Sequence, residues 1–120
     1  PINMIKSIEI VYGLRNFIGN ANKYSKSKVF INLKSDSDFT EVVIEDDGEG
    51  YPKDVLSKIG EPYLKSFKTS ARSKSGLGLG IFIGKTLLEK NYANIFCGNS
   101  KIRSGAEVSI MWRNEDLLKL

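Results

Sequence analysis

Three glycines, Gly76, Gly78 and Gly80, alternate with Leu77 and Leu79 and run into the apolar stretch Ile81, Phe82, Ile83. Glycine takes positive φ without steric cost and lets a backbone come close to a ligand. The helix start that follows offers unpaired N–H groups and the positive end of a dipole, a combination that favours an anion, most often a phosphate. Taken alone, a glycine-rich turn into a buried helix is also an ordinary tight turn. A second set is Asn16, Asn20, Lys23 and Tyr24, which share one helical arc at spacings i, i+4, i+7 and i+8. Asparagine is a middling helix former, so two of them one turn apart are not there for propensity. The set is either a solvated face or a group of ligands. An amide oxygen is a hard donor suited to Mg²⁺, and an ammonium group suits phosphate oxygens. A third stretch, Asp46, Asp47, Gly48, Glu49, Gly50, Tyr51 and Pro52, ends a strand in a carboxylate and turns sharply at two glycines. It is either an acidic turn or a pocket floor, with Asp46 accepting from an amino group and the glycines leaving room for a flat ring.

Composition removes other chemistries. The 120 residues include no histidine and one cysteine, Cys97. Ser/His/Asp and Cys/His nucleophilic arrangements, His-ligated metals, thiolate zinc clusters and an internal disulfide are thereby excluded. A composition of 41% hydrophobic and 27% charged residues fits one soluble globular domain. No apolar run approaches the roughly 20 residues of a membrane helix. The opening Pro1, Ile2, Asn3 has neither an initiator methionine nor a signal-peptide pattern, so the expectation is a single domain, 1–120, cut from a longer protein. The net charge of +4 suits phosphates or an acidic partner, and equally a solvated face. Cys97 lies in a strand pattern, where a buried inert thiol is expected.

The elements that must position these residues follow from periodicity. Residues 5–24 read as a helix with Ile10, Val11, Leu14, Phe17, Ile18 and Ala21 on one arc. Residues 28–34 alternate as a strand, 35–38 turn, and 39–46 form a second strand, giving an antiparallel hairpin. Pro52 starts a short helix with Val55, Leu56 and Ile59 inward, and Gly60 stops it. Residues 65–75 carry four cations and four serines without periodicity, and read as a mobile loop. Its cations close over phosphates or only solvate it. A helix follows from about 79 to 90, with Leu79, Phe82, Ile83, Thr86 and Leu87 facing a sheet. Strands at 94–98 and 106–112 and a short amphipathic tail finish the chain. The order of elements predicts an α+β two-layer sandwich, with helices on one face of a mostly antiparallel sheet. That order is not a dinucleotide-binding one, and no Gly-Lys-Ser/Thr follows the glycines as a P-loop requires.

Taken together, Asn16-x-x-x-Asn20-Ala21-x-Lys23-Tyr24, Asp46-x-Gly48-x-Gly50 and Gly76-x-Gly78-Leu79-Gly80 resemble the N, G1 and G2 boxes of sensor histidine kinase catalytic domains. These belong to the wider group that includes gyrase, Hsp90 and MutL. Glu61-Pro62-Tyr63 resembles the F box. The ordered motifs cover residues 8–112, and the wording around 11–14, 60–63 and 82–89 is similar to the RegB/PrrB-type redox-responsive kinases. The resemblance implies the Bergerat ATP-binding fold, a mixed, mostly antiparallel sheet covered on one face by three helices, with N-terminal strands truncated here. It implies ATP and Mg²⁺ as cofactors: Asn20 on Mg²⁺ with Asn16 beside it, Lys23 on a phosphate oxygen, and Tyr24 along the adenine. Asp46 would take the adenine amino hydrogen, with Gly48 and Gly50 shaping the ring's seat. Gly76, Leu77, Gly78, Leu79 and Gly80 would present N–H groups to phosphates, beneath a lid that includes Tyr63 and Arg72. Asn16, Asn20 and Lys23 would form the catalytic set. The implied partners are ATP or ADP, a dimerisation domain bearing the phosphoacceptor histidine, and a response regulator. No nucleic-acid partner is expected, and this piece would be a cytoplasmic monomer. The F box departs from the family at Gly60 and Tyr63, where phenylalanines are usual. A hydrolase of the same group would carry a water-activating glutamate at the position of Asn16, whose amide takes up no proton at neutral pH. An anti-sigma-factor serine kinase and a nucleotide-binding module without transfer are the remaining alternatives.

Overall fold

The computed structural model describes residues 2–53, 56 and 77–120. In chain order the elements are α1 (Ile2–Tyr24), β1 (Val29–Ser35), β2 (Phe39–Asp46), α2 (Leu77–Lys90), β3 (Asn94–Asn99), β4 (Ala106–Arg113) and α3 (Asn114–Leu117). The strands form one antiparallel sheet in the order β1-β2-β4-β3. The expected α+β architecture and all four strands are present, each within a residue of its predicted ends. Lys53 and Leu56 are helical, and Leu56 N–H donates to Pro52 O at 3.0 Å. The rest of that predicted helix, the F-box residues and the 65–75 loop lie outside the described residues.

Alternation along β4 turns Val108, Ile110 and Trp112 to the helices, where each is at most 4% exposed. Phe17 and Ala21 of α1, Ile44 of β2, Ile81 and Leu88 of α2, and Tyr51 and Ala93 from the connecting segments join them in the core. Each large side chain buried this way contributes about 1.5–3 kcal/mol. The helix phases differ from expectation. Val11 is 55% exposed, and α2 buries Ile81, Gly84 and Leu88 while Phe82 is 39% exposed. The cause is the neighbour of α2. It lies chiefly against α1, touching the sheet at β3. A Cβ on Gly84 would stand 2.7 Å from Phe17 Cε2, and one on Gly13 would stand 2.8 Å from Leu88 Cγ. The two helices therefore cross glycine to glycine, and the crossing point sets which face of α2 is covered. β1 is an edge strand that α1 covers only in part, so its inner-face Ile31 and Leu33 stay 53% and 71% exposed.

Local hydrogen bonds fix the ends. α2 closes in a Schellman motif, with Tyr92 at φ 75°, Tyr92 N–H donating to Glu89 O and Ala93 N–H to Leu88 O. Trp112 Nε1–H donates to Asn91 O at 3.0 Å, tying that end of α2 to β4. Between α1 and β1, the Asp47 carboxylate accepts from the N–H groups of Lys26, Ser27 and Lys28 and from Ser27 Oγ–H. The Ser27 hydroxyl and these backbone donors hold the Asp47 carboxyl well below the usual carboxylate range. A depressed carboxylate stabilises the fold fully above its unfolded-state pKa, near 3.8, and less as pH falls toward the folded value. Asp47→Asn is therefore expected to lower stability at neutral pH and flatten the loss below pH 4, measured as urea midpoints across pH. Parallel acid limbs in both proteins would contradict it.

Candidate functional site

The three chemistry-bearing stretches meet at one end of the sheet. A cleft there has about 350 Å³ of atom-free space, part of it open to solvent. α1 contributes Phe17, Asn20, Ala21 and Tyr24 to its wall. β2 contributes Ile44 and Asp46, the turn after it Gly50 and Tyr51, and β4 Ala106 and Val108. Apolar walls and few polar groups suit a flat, largely apolar ligand with a directed polar edge.

Asp46 is 3% exposed at the end of β2. Gly48 N–H donates to its Oδ1 at 2.9 Å, and Ala106 N–H donates to the same oxygen at 3.2 Å. Both backbone donors take Oδ1, and among the described residues no hydrogen bond reaches Oδ2. A buried carboxylate oriented this way can accept one more N–H from a ligand. Its surroundings admit no side chain. A Cβ on Gly105 would lie 2.1 Å from Asp46 O, and one on Gly48 would lie 2.1 Å from Tyr24 O. Gly50 stands at φ 81°, the left-handed region where glycine is favoured, and turns the chain back so that Tyr51 is buried.

Asn20 is not a freely solvated residue of that face. Its Nδ2 is buried with no hydrogen-bond partner. A buried amide left unpaired costs free energy, and in native proteins such a group calls for an explanation. Gly80 lies against it, since a Cβ there would stand 2.7 Å from Asn20 Nδ2 and 2.9 Å from Oδ1. The glycine run and the asparagine set thus touch across the interface between α1 and α2. Asn16 is one turn earlier and half-buried, with Nδ2–H donating to Tyr12 O at 2.8 Å. Lys23 is exposed, its Nζ 5.5 Å from the Tyr24 ring centre.

The glycine motif differs from expectation in one respect. Leu77, Gly78, Leu79 and Gly80 form the first turn of α2 rather than a turn ahead of it. Their role is then to be the helix start, whose first N–H groups have no partner within the helix. Gly80 is needed for its missing Cβ, not for positive φ. Tyr63, Arg72 and Gly76 lie outside the described residues. Sequence reasoning missed Tyr51, Ala106, Gly105 and Asn99. Tyr51 stood in the stretch after Asp46 without a role of its own, and Ser104-Gly105 was legible only as a turn.

Cys97, half-buried on β3, conforms to the inert reading. Burial pushes its thiol up to about 12, against a smaller opposing effect from Lys85. No group of three or more acidic, histidine or cysteine side chains suited to a metal occurs among the described residues.

Comparisons with known proteins agree with this geometry. Residues 6–116 match the family described as histidine kinase-, DNA gyrase B-, and HSP90-like ATPase. The chain is 34% identical to the sensor histidine kinase RegB of Cereibacter sphaeroides over 91% of its own length and 27% of that protein's. Among solved structures, the mycobacterial sensor histidine kinase MprB superposes with a TM-score of 0.67 at 28% identity, covering 85% of this chain and 70% of that one. Full-length ShkA in complex with AMPPNP shares the fold, with a TM-score of 0.65 at 23% identity over 87% of this chain and 21% of that one. The chain spans about a quarter of the length of the RegB relatives it matches.

Proposed function

From the premise that this chain belongs to the histidine kinase-, DNA gyrase B-, and HSP90-like ATPase family and is an ATP-binding catalytic domain of the sensor histidine kinase type, we propose that it binds Mg·ATP in the cleft beside Asp46. The γ-phosphoryl group then passes to a histidine on a separate dimerisation domain, for relay to a response regulator. The observation that carries this reading is the convergence of Asn20, Asp46 and Gly50, distant in sequence, around one cleft, with Gly80 packed against Asn20.

In this reading Asp46 Oδ2 accepts the adenine amino hydrogen, Gly48 and Gly50 keep the seat shallow, and Tyr24 lies along the ring. Lys23 neutralises a phosphate oxygen, and the N–H groups of Gly76, Leu77, Gly78, Leu79 and Gly80 face the phosphates. Tyr63 and Arg72 belong to the lid. The unpartnered Nδ2–H of Asn20 fits a phosphate oxygen, and Oδ1 of the same amide is a hard donor that would hold Mg²⁺, which is usually bound by one or two protein groups together with phosphates and waters. When bound, the ion neutralises charge on the phosphates. Asn16 and Asn20 hold the triphosphate in line, and positioning of this kind supplies most of the catalysis in phosphoryl transfer.

A hydrolytic role is disfavoured at Asn16, whose amide nitrogen is already bonded to Tyr12 O and which takes up no proton at neutral pH. No helix among the described residues is long and apolar enough to cross a membrane. In the whole protein this domain would lie on the cytoplasmic side. Calorimetric titration is expected to show Mg·ATP binding, weakened in Asn20→Asp. Acid-labile phosphate should form when histidine-bearing dimerisation helices are added in trans. A folded protein that releases no heat with ATP or ADP would defeat the reading, and rapid phosphate release by the chain alone would favour the hydrolase.

A further inference from the structure

Asn99 ends β3, outside every motif, yet its side chain reaches the segment that closes one side of the cleft. Tyr51 N–H donates to Asn99 Oδ1 at 2.7 Å, and Asn99 Nδ2–H donates to Tyr51 O at 3.1 Å. One side-chain amide thus pairs with both polar groups of one backbone residue, as a neighbouring strand would. The fit is close. A Cβ on Gly50 would lie 2.7 Å from Asn99 Oδ1. The backbone of Asn99 is in register with Ala106, whose N–H orients Asp46. The two sides of the cleft, Asp46 on one and Gly50-Tyr51 on the other, are therefore tied through a single rung of the sheet.

We infer that Asn99 is a positioning residue for the nucleotide base: its amide acts as a surrogate strand that holds Gly50 and Tyr51 at a set distance from Asp46 and so fixes the width of the base slot. This rests on the reading that adenine binds at Asp46. The side chain must be both donor and acceptor at once. Aspartate has the same shape but no donor, and would set a carboxylate against Tyr51 O. Only the amide therefore meets both requirements at this length.

The test uses this chain with Asn99→Ala and Asn99→Asp, calorimetric titration with ATP and with GTP, and thermal unfolding without nucleotide. The loss of both backbone-directed hydrogen bonds in Asn99→Ala, and in Asn99→Asp the loss of the bond to Tyr51 O with a carboxylate set against that carbonyl, predicts ATP binding weaker by roughly tenfold in each variant. A loosened slot lets Asp46 discriminate less, so the ratio of ATP to GTP affinity should narrow while the unfolding midpoint holds. Wild-type affinity and ratio in both variants would overturn the inference. So would a loss of affinity seen only with a matching fall of the midpoint in both, because the amide would then be supporting the fold and not the slot. A folded wild-type chain that binds neither nucleotide would instead remove the adenine reading on which the inference stands.

Discussion

Gly105→Ala abolishes nucleotide binding and lowers the unfolding midpoint by on the order of 10 °C, a shift corresponding to roughly 2–3 kcal/mol in a domain of this size. The added methyl would stand 2.1 Å from Asp46 O, 2.2 Å from Asp46 Oδ1 and 2.5 Å from Asp46 C. Two of those atoms are backbone and cannot rotate away. Relief requires the end of β2 to separate from the turn before β4, which breaks the Ala106 N–H bond that aims the carboxylate. Stability and binding therefore fail together. Gly19→Ala is the matched control. Nothing lies within 4 Å of a Cβ there, and alanine in a helix interior is favoured over glycine by roughly 0.5–1 kcal/mol. Thermal melts by circular dichroism separate the two outcomes: a Gly105→Ala protein that melts like the wild type and binds ATP would refute the packing argument.

Asp46→Asn leaves the fold largely in place and weakens ATP binding on the order of 100-fold, the upper end expected for a lost hydrogen bond to a charged group. The sign follows from the two fixed donors. Gly48 N–H and Ala106 N–H both point at one oxygen, so the replacement amide keeps its carbonyl oxygen there. Its NH₂ then occupies the place of Oδ2 and meets the amino group of adenine donor to donor. GTP, which presents a carbonyl oxygen at the equivalent ring position, should lose less or gain. Calorimetry with both nucleotides reads this directly, and unchanged ATP affinity would remove Asp46 from the base-binding role.

The fold was legible wherever its cause was local. The pattern of 106–112 predicted a strand, and Asp46 was recognisable as a strand end because two glycines follow it closely. The misreadings have one physical source. Phe82 and Val11 have the right period for a core, but the period does not fix the phase. The phase of α2 was decided by a helix crossing at Gly13 and Gly84, more than sixty positions apart. Likewise the glycines of the 76–80 run looked like residues chosen for positive φ. Gly78 and Gly80 are helical, and Gly80 is chosen for its nearness to Asn20.

What the order of residues determined by itself was the set of elements and the chemistry on offer: amides on one arc of α1, a carboxylate at the end of β2, small residues at the start of α2. Helical and strand periods and turn chemistry are properties of neighbours along the chain, so they can be read along it. Only the tertiary structure decided that the Asn20 amide is buried without a partner against Gly80, that both backbone donors reach the same oxygen of Asp46, and that Asn99 clasps Tyr51 from forty-eight residues away. Contacts of that kind depend on strand register and on how closely two helices approach, and packing between distant residues sets both without leaving a periodic trace.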